Sequence, residues 1–80
     1  QAAALHDKLV NAARKIKAGQ KPTRATAAAR RSLALLGFKV DYVAARNAET
    51  LALPKSPDEP LRLLAAAWLG TTRLIDNIAV

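Results

Sequence analysis

The stretch LRLLAAAWLGTTRLIDNIAV, residues 61–80, decides the fold. Its first half, Leu61 to Leu69, places Leu63 and Leu64 beside three successive alanines, a pattern that suits a buried strand or a short helix equally. The sequel tips the balance towards strand. Gly70, Thr71 and Thr72 form a short turn signal, and Leu74, Ile75, Ile78 and Val80 resume a β-rich run, so the two halves read as a hairpin. Upstream, from Phe38, apolar residues recur with period two. Phe38, Val40, Tyr42 and Ala44 fall on one side of an expected strand, and Lys39, Asp41, Val43 and Ala45 on the other. Between these strands, residues 46–53 are irregular with room for one helical turn. Pro54, Pro57 and Pro60 around Lys55, Ser56, Asp58 and Glu59 predict an exposed, mobile loop.

The first 37 residues have a different period. Leu5, Leu9, Ala12, Ala13 and Ile16 recur at three- and four-residue spacing, with His6, Asp7, Asn11, Arg14 and Lys15 elsewhere around the wheel. Gly19 follows Arg14, Lys15 and Lys17, a helix end in which cations meet the negative pole of the dipole. Pro22 and Thr23 start a second helix. Its expected buried stripe is Ala25, Ala28, Ala29, Leu33 and Leu36, and Gly37 stops it. The inventory is an α+β domain, two N-terminal helices packed on a small three-stranded, largely antiparallel sheet, with residues 1–80 as one domain.

Eighty residues enclose only a modest core, and aromatics make up 4% of them, so Leu, Ile, Val, Phe38, Tyr42 and Trp68 are expected to carry it. Cysteine is absent and His6 is the single histidine, which removes disulfides, cysteine-based zinc sites and histidine metal clusters. A partner surface is therefore the expected support for so small a core. No membrane span or secretion signal is recognisable, which places the chain in the cytoplasm by default. The net charge of +7 is uneven: residues 1–40 hold nine Lys or Arg against Asp7 alone, a net +8, and residues 41–80 are left at −1. Such a basic half keeps nucleic acid or polyphosphate in play.

No catalytic constellation is legible. Gly19, Gly37 and Gly70 are spaced as caps and a turn, not as a phosphate loop, and no nucleophile stands with a base. Lys21, Arg24, Arg30 and Arg31 could line a phosphate-binding face, although a solvated face is the simpler reading and no aromatic residue interleaves them to stack bases. Arg73, Asp76 and Asn77 interrupt an apolar strand. A structural ion pair or polar corner accounts for Asp76, and alternation leaves Arg73 and Asn77 together on the other face, as candidates for contacts between domains. Trp68 reads either as core filler or as an anchor against another domain.

With those residues in place, the run from Arg62 to Val80 resembles the carboxy-terminal end of the pantothenate synthetases, the pantoate-beta-alanine ligase family. Gly37 to Tyr42, Arg46 and Glu49-Thr50-Leu51 fall where that family has its first lid strand and the following turn. The resemblance covers essentially all 80 residues, with the helices matching in pattern only. It implies a parent enzyme that joins pantoate to ATP, releases pyrophosphate and forms pantoyl adenylate, from which the amine of beta-alanine displaces AMP. It also implies that this chain is the C-terminal lid domain, with Gln1 just inside the first lid helix, as an excised piece of that enzyme. The nucleotide-binding N-terminal domain and the family's ATP-binding residues would precede it.

On this reading the chain holds no cofactor and no catalytic residue of its own. ATP and magnesium belong to the parent, a homodimer. The partners are the N-terminal domain, pantoate, beta-alanine and ATP, with no membrane and no specific nucleic acid. The alternative is a small basic nucleic-acid-binding module, distinguishable by a steep loss of affinity with salt. A purely structural assembly domain is a third class, recognisable as a stable oligomer.

Overall fold

Both helices end on the same device. In α1 (Ala2–Lys17) the Gly19 amide donates to the Ile16 carbonyl and the Gln20 amide to that of Lys15; in α2 (Pro22–Leu35) the Gly37 and Phe38 amides repeat the pattern onto Ala34 and Leu33. These paired bonds satisfy the last carbonyls of each helix and require a residue at positive φ, supplied by Gly19 at 107° and Gly37 at 98°. The chain thus turns sharply twice, laying α1 against α2 and delivering Phe38 into the core and Lys39 into the sheet.

The computed structural model describes residues 2–56 and 58–80. Gln1, expected in the first helix, and Pro57, expected in the exposed loop, lie outside the described residues. Three strands follow the helices: β1 (Lys39–Asn47), β2 (Leu61–Leu69) and β3 (Thr72–Ala79). They pair antiparallel in the order β1-β2-β3, with Gly70 and Thr71 as the two-residue turn between β2 and β3. The α+β expectation is met, and the ambiguous run 61–69 is the central strand, hydrogen-bonded on both sides.

The helices cover one face of the sheet only. From α1 come Leu5, Leu9, Ala12 and Ala13, and from α2 Ala25, Thr26, Ala29 and Leu33; the sheet supplies Val43, Leu63, Ala65 and Ala67. Leu5, Leu9, Leu33 and Leu63 are the largest fully buried side chains, and small alanines between them let the helices sit close on the strands. The stripe of α2 is narrower than the sequence suggests: Leu36, expected inside, is 54% exposed because it occupies the cap, where the helix has already turned away from the sheet.

Strand β1 does not keep a single alternation. Val40 pairs with Ala67 and Tyr42 with Ala66, so Asp41 is an extra residue, a β-bulge that shifts the pleat by one. Before it, Phe38 and Val40 face the helices; after it, Val43 and Ala45 do, and Tyr42 is thrown to the other face. Tyr42, expected to carry the core, is therefore on the uncovered face, 39% exposed; Trp68, also counted towards the core, is on the same face by its own place in β2, paired with Lys39 and Arg73, and is 36% exposed.

Candidate functional site

Four positions on or beside α2 were singled out for charge. Lys21 is its N-cap, with extended backbone and no side-chain cap, and Arg24, Arg30 and Arg31 are all exposed. At about 100° per residue, Lys21, Arg24 and Arg31 share one side of the helix over about 15 Å of its length. Arg30 leaves that row, its guanidinium donating to the Asp41 carbonyl at 3.4 Å, over the bulge. The fold therefore brings together three of the four cations, and their side of α2 faces solvent.

On β3 the alternation reads as expected. Leu74, Asp76 and Ile78 turn towards the helices, and Arg73, Ile75 and Asn77 away from them. Asp76 is held twice: its Oδ2 lies 2.9 Å from His6 Nδ1 of α1, and its Oδ1 accepts the Asn77 amide at 2.8 Å. Across the free face, Arg73 Nε donates to Asp41 Oδ2 at 3.0 Å and Arg62 Nη1 donates to Asn77 Oδ1 at 2.6 Å. Arg73 and Asn77 are thus present at the surface and already oriented by neighbours on other strands.

The β1–β2 connection carries the site the sequence did not disclose. Asn47 Oδ1 accepts the Glu49 and Thr50 amides at 2.8 and 2.9 Å, while its Nδ2 donates to Glu59 Oε1 at 2.8 Å. The other carboxylate oxygen, Oε2, accepts the Lys55 amide and, at 2.6 Å, the Ser56 amide. The Asn47 hydrogen bond, then these two amides, hold the Glu59 carboxyl below the ordinary glutamate range. A loop expected to be mobile is tied at both ends by one amide and one carboxylate, and within it Leu51 is carried at φ 62°. The only signal available was the Asn at a strand end two residues before Glu49, the usual beginning of an Asx turn.

Between this loop and the start of α2 lies a largely apolar groove of about 590 Å³, lined by Pro22, Thr26, Ala45, Arg46, Leu53 and Pro54 among others. Among the described residues no group of three or more His, Asp or Glu side chains could hold a metal ion, and no helix is long and apolar enough to cross a membrane.

A family model described as Pantoate-beta-alanine ligase matches residues 1–79. A pantothenate synthetase of Rhodopseudomonas palustris (strain BisB18) is 50% identical over 80 residues, covering 99% of this chain and 28% of the relative. Pantothenate synthetase 2 of Bradyrhizobium diazoefficiens is 49% identical over the same shares, and the Paracoccus denitrificans pantothenate synthetase 48% identical over 100% of this chain and 28% of its own length. The chain therefore spans about 28% of the length of these curated relatives. They lend no support to a nucleic-acid-binding module.

Proposed function

Because the chain belongs to the pantoate-beta-alanine ligase family, we propose that it is the C-terminal lid domain of a pantothenate synthetase, a cytoplasmic homodimer that condenses pantoate with beta-alanine. ATP supplies the activation through a pantoyl adenylate, with release of pyrophosphate and then AMP, and magnesium accompanies the nucleotide. One observation carries the reading: the family match runs over residues 1–79 of this chain, yet the chain covers only 28% of each relative compared, and among the described residues no cluster of side chains could hold a metal ion. The groups that bind ATP and activate pantoate then belong to the remainder of the polypeptide.

The part left to this chain is coverage. An acyl adenylate is destroyed by water, so a domain that closes over it raises the yield of amide without touching the reacting atoms. A rigid two-layer domain with a tethered loop suits that task. Lys21, Arg24 and Arg31, on one side of α2, are the candidates to approach the nucleotide phosphates on closure. Arg73 and Asn77 are the candidates for contacts between domains. Among the described residues no acidic or histidine cluster fits magnesium, so no step is assigned to a metal held by them.

The test is synthesis of pantothenate from pantoate, beta-alanine, ATP and magnesium by the full-length polypeptide and by this 80-residue chain. The full-length protein is expected to turn over and the chain is not. Turnover by the chain alone would overturn the lid reading, and an inactive full-length protein would overturn the ligase reading.

A further inference from the structure

The two helices leave one face of the sheet uncovered. An antiparallel sheet with one wet face ordinarily alternates, presenting polar side chains to water. This face does not. Its centre is Tyr42, Leu64, Ala66, Trp68 and Ile75, with Tyr42 and Ile75 paired on either side of Ala66. Ile75 is 63% exposed, and a recess lined by Gly37, Lys39, Trp68, Gly70 and Thr71 opens beside the indole. The bulge at Asp41 is what adds Tyr42 to this set, since strict alternation from Val40 would have turned it towards the helices.

Around that centre runs a polar rim. Lys39, Arg46, Arg62 and Arg73 stand on it against one carboxylate, Asp41. Two of the four cations are already fixed, Arg73 by Asp41 and Arg62 by Asn77, so less side-chain freedom would be lost on association. An apolar, aromatic centre inside a charged rim is the layout of a protein interface.

We infer that the free face of the sheet is the surface on which the remainder of this same polypeptide docks, through an apolar patch bordered by carboxylates. The inference rests on reading this chain as one domain of a larger enzyme. The occupant follows from two observations. The chain spans 28% of its relatives' length, so a body of protein more than twice its size would accompany it. A second copy fits poorly, because a two-fold contact through this face sets the same four cations against each other.

Thiol labelling of the full-length polypeptide tests this, read peptide by peptide by mass spectrometry, with and without ATP and magnesium. This chain has no cysteine, so Ile75→Cys and Tyr42→Cys report the face and Lys17→Cys, exposed at the end of α1, is the reference. Two reporters on different strands guard against one that fails to fold. In at least one of the two conditions both are expected to react about tenfold more slowly than the reference at every protein concentration, the ratio for a docked state populated ten to one. Labelling as fast as the reference in both conditions overturns the inference. So does protection that vanishes on dilution, which assigns the face to a second copy, or on nuclease treatment, which assigns it to nucleic acid. Pantothenate synthesis is assayed on the same proteins: fast labelling in an active enzyme sinks the docking surface alone, and slow labelling in an inactive one sinks the ligase reading alone.

Discussion

His6 Nδ1 of α1 stands 2.9 Å from Asp76 Oδ2 of β3, and seventy positions of chain separate the two residues. The pair is partly exposed, so its worth lies less in charge than in tying the first helix to the last strand. Asp76→Ala also strips the acceptor from the Asn77 amide and is expected to lower the unfolding free energy by about 1 kcal/mol, with His6→Ala costing less. Arg73→Ala, on the free face, is expected to change it by no more than about 0.5 kcal/mol. Urea unfolding of the three variants checks the order, and a costlier Arg73→Ala would show the energetics of the two faces reversed.

The same division separates two apolar residues. Leu63 is fully buried and Ile75 is on the uncovered face. Leu63→Ala is expected to cost about 2–5 kcal/mol through lost burial and an unfilled cavity. Ile75→Ala should stay within about 0.5 kcal/mol when the isolated chain is unfolded.

Glu59 gives a pH signature. Its folded pKa lies below the ordinary value of 4.5, so its contribution to loop order is complete above that value and is lost as pH falls through the lower, folded one. Amide exchange at Lys55 and Ser56, whose N–H groups the carboxylate accepts, is expected to lose protection on that acid side. In Glu59→Gln both amides should exchange faster at neutral pH, without the acid-side change. Unaltered exchange in the variant would remove Glu59 as the tether.

Leu51 is half exposed at a backbone angle that β-carbons resist. A left-handed conformation costs a non-glycine residue about 1–2 kcal/mol, whereas glycine adopts it freely but loses more chain entropy on folding. Leu51→Gly is accordingly expected to raise the unfolding free energy by about 0.5–1 kcal/mol. A fall in stability would mean that the leucine side chain packs more than its exposure indicates.

The row on α2 makes a kinetic prediction. In full-length enzyme, Lys21→Ala, Arg24→Ala and Arg31→Ala are each expected to raise the KM for ATP about two- to fivefold, the scale of one exposed charge. Arg30→Ala is expected to leave it unchanged, because that guanidinium is turned onto the Asp41 carbonyl. Four unchanged values would leave solubility as the role of these cations.

Legibility in the sequence followed the range of the interaction concerned. Gly19 and Gly37 announce both helix ends, because a cap is a matter of a few adjacent residues. Placing Arg73 and Asn77 opposite Asp76 needed only the pleat. The bulge left no such trace: residues 38–45 alternate acceptably in either phase, and only pairing with Ala66 and Ala67 shows where the phase changes, so Tyr42 was set on the wrong face. The two readings of Trp68, core filler or surface anchor, are not separable in the sequence, since β2 is apolar on both sides and exposure depends on which side the helices cover. Asn47 and Glu59 are twelve positions apart across a proline-rich loop, a distance over which neither composition nor period reveals a partner.

Each strand pairs with its neighbour in sequence, while α1 rests partly against β3, the strand farthest from it along the chain. Among the described residues, the flank of α1 that receives Leu74, Asp76 and Ile78 has no other cover than β3. A chain cut before Gly70 would leave that flank of α1 without its cover. Damage at the last strand would thus be felt at the first helix, where Leu5 and His6 would stand open to proteases.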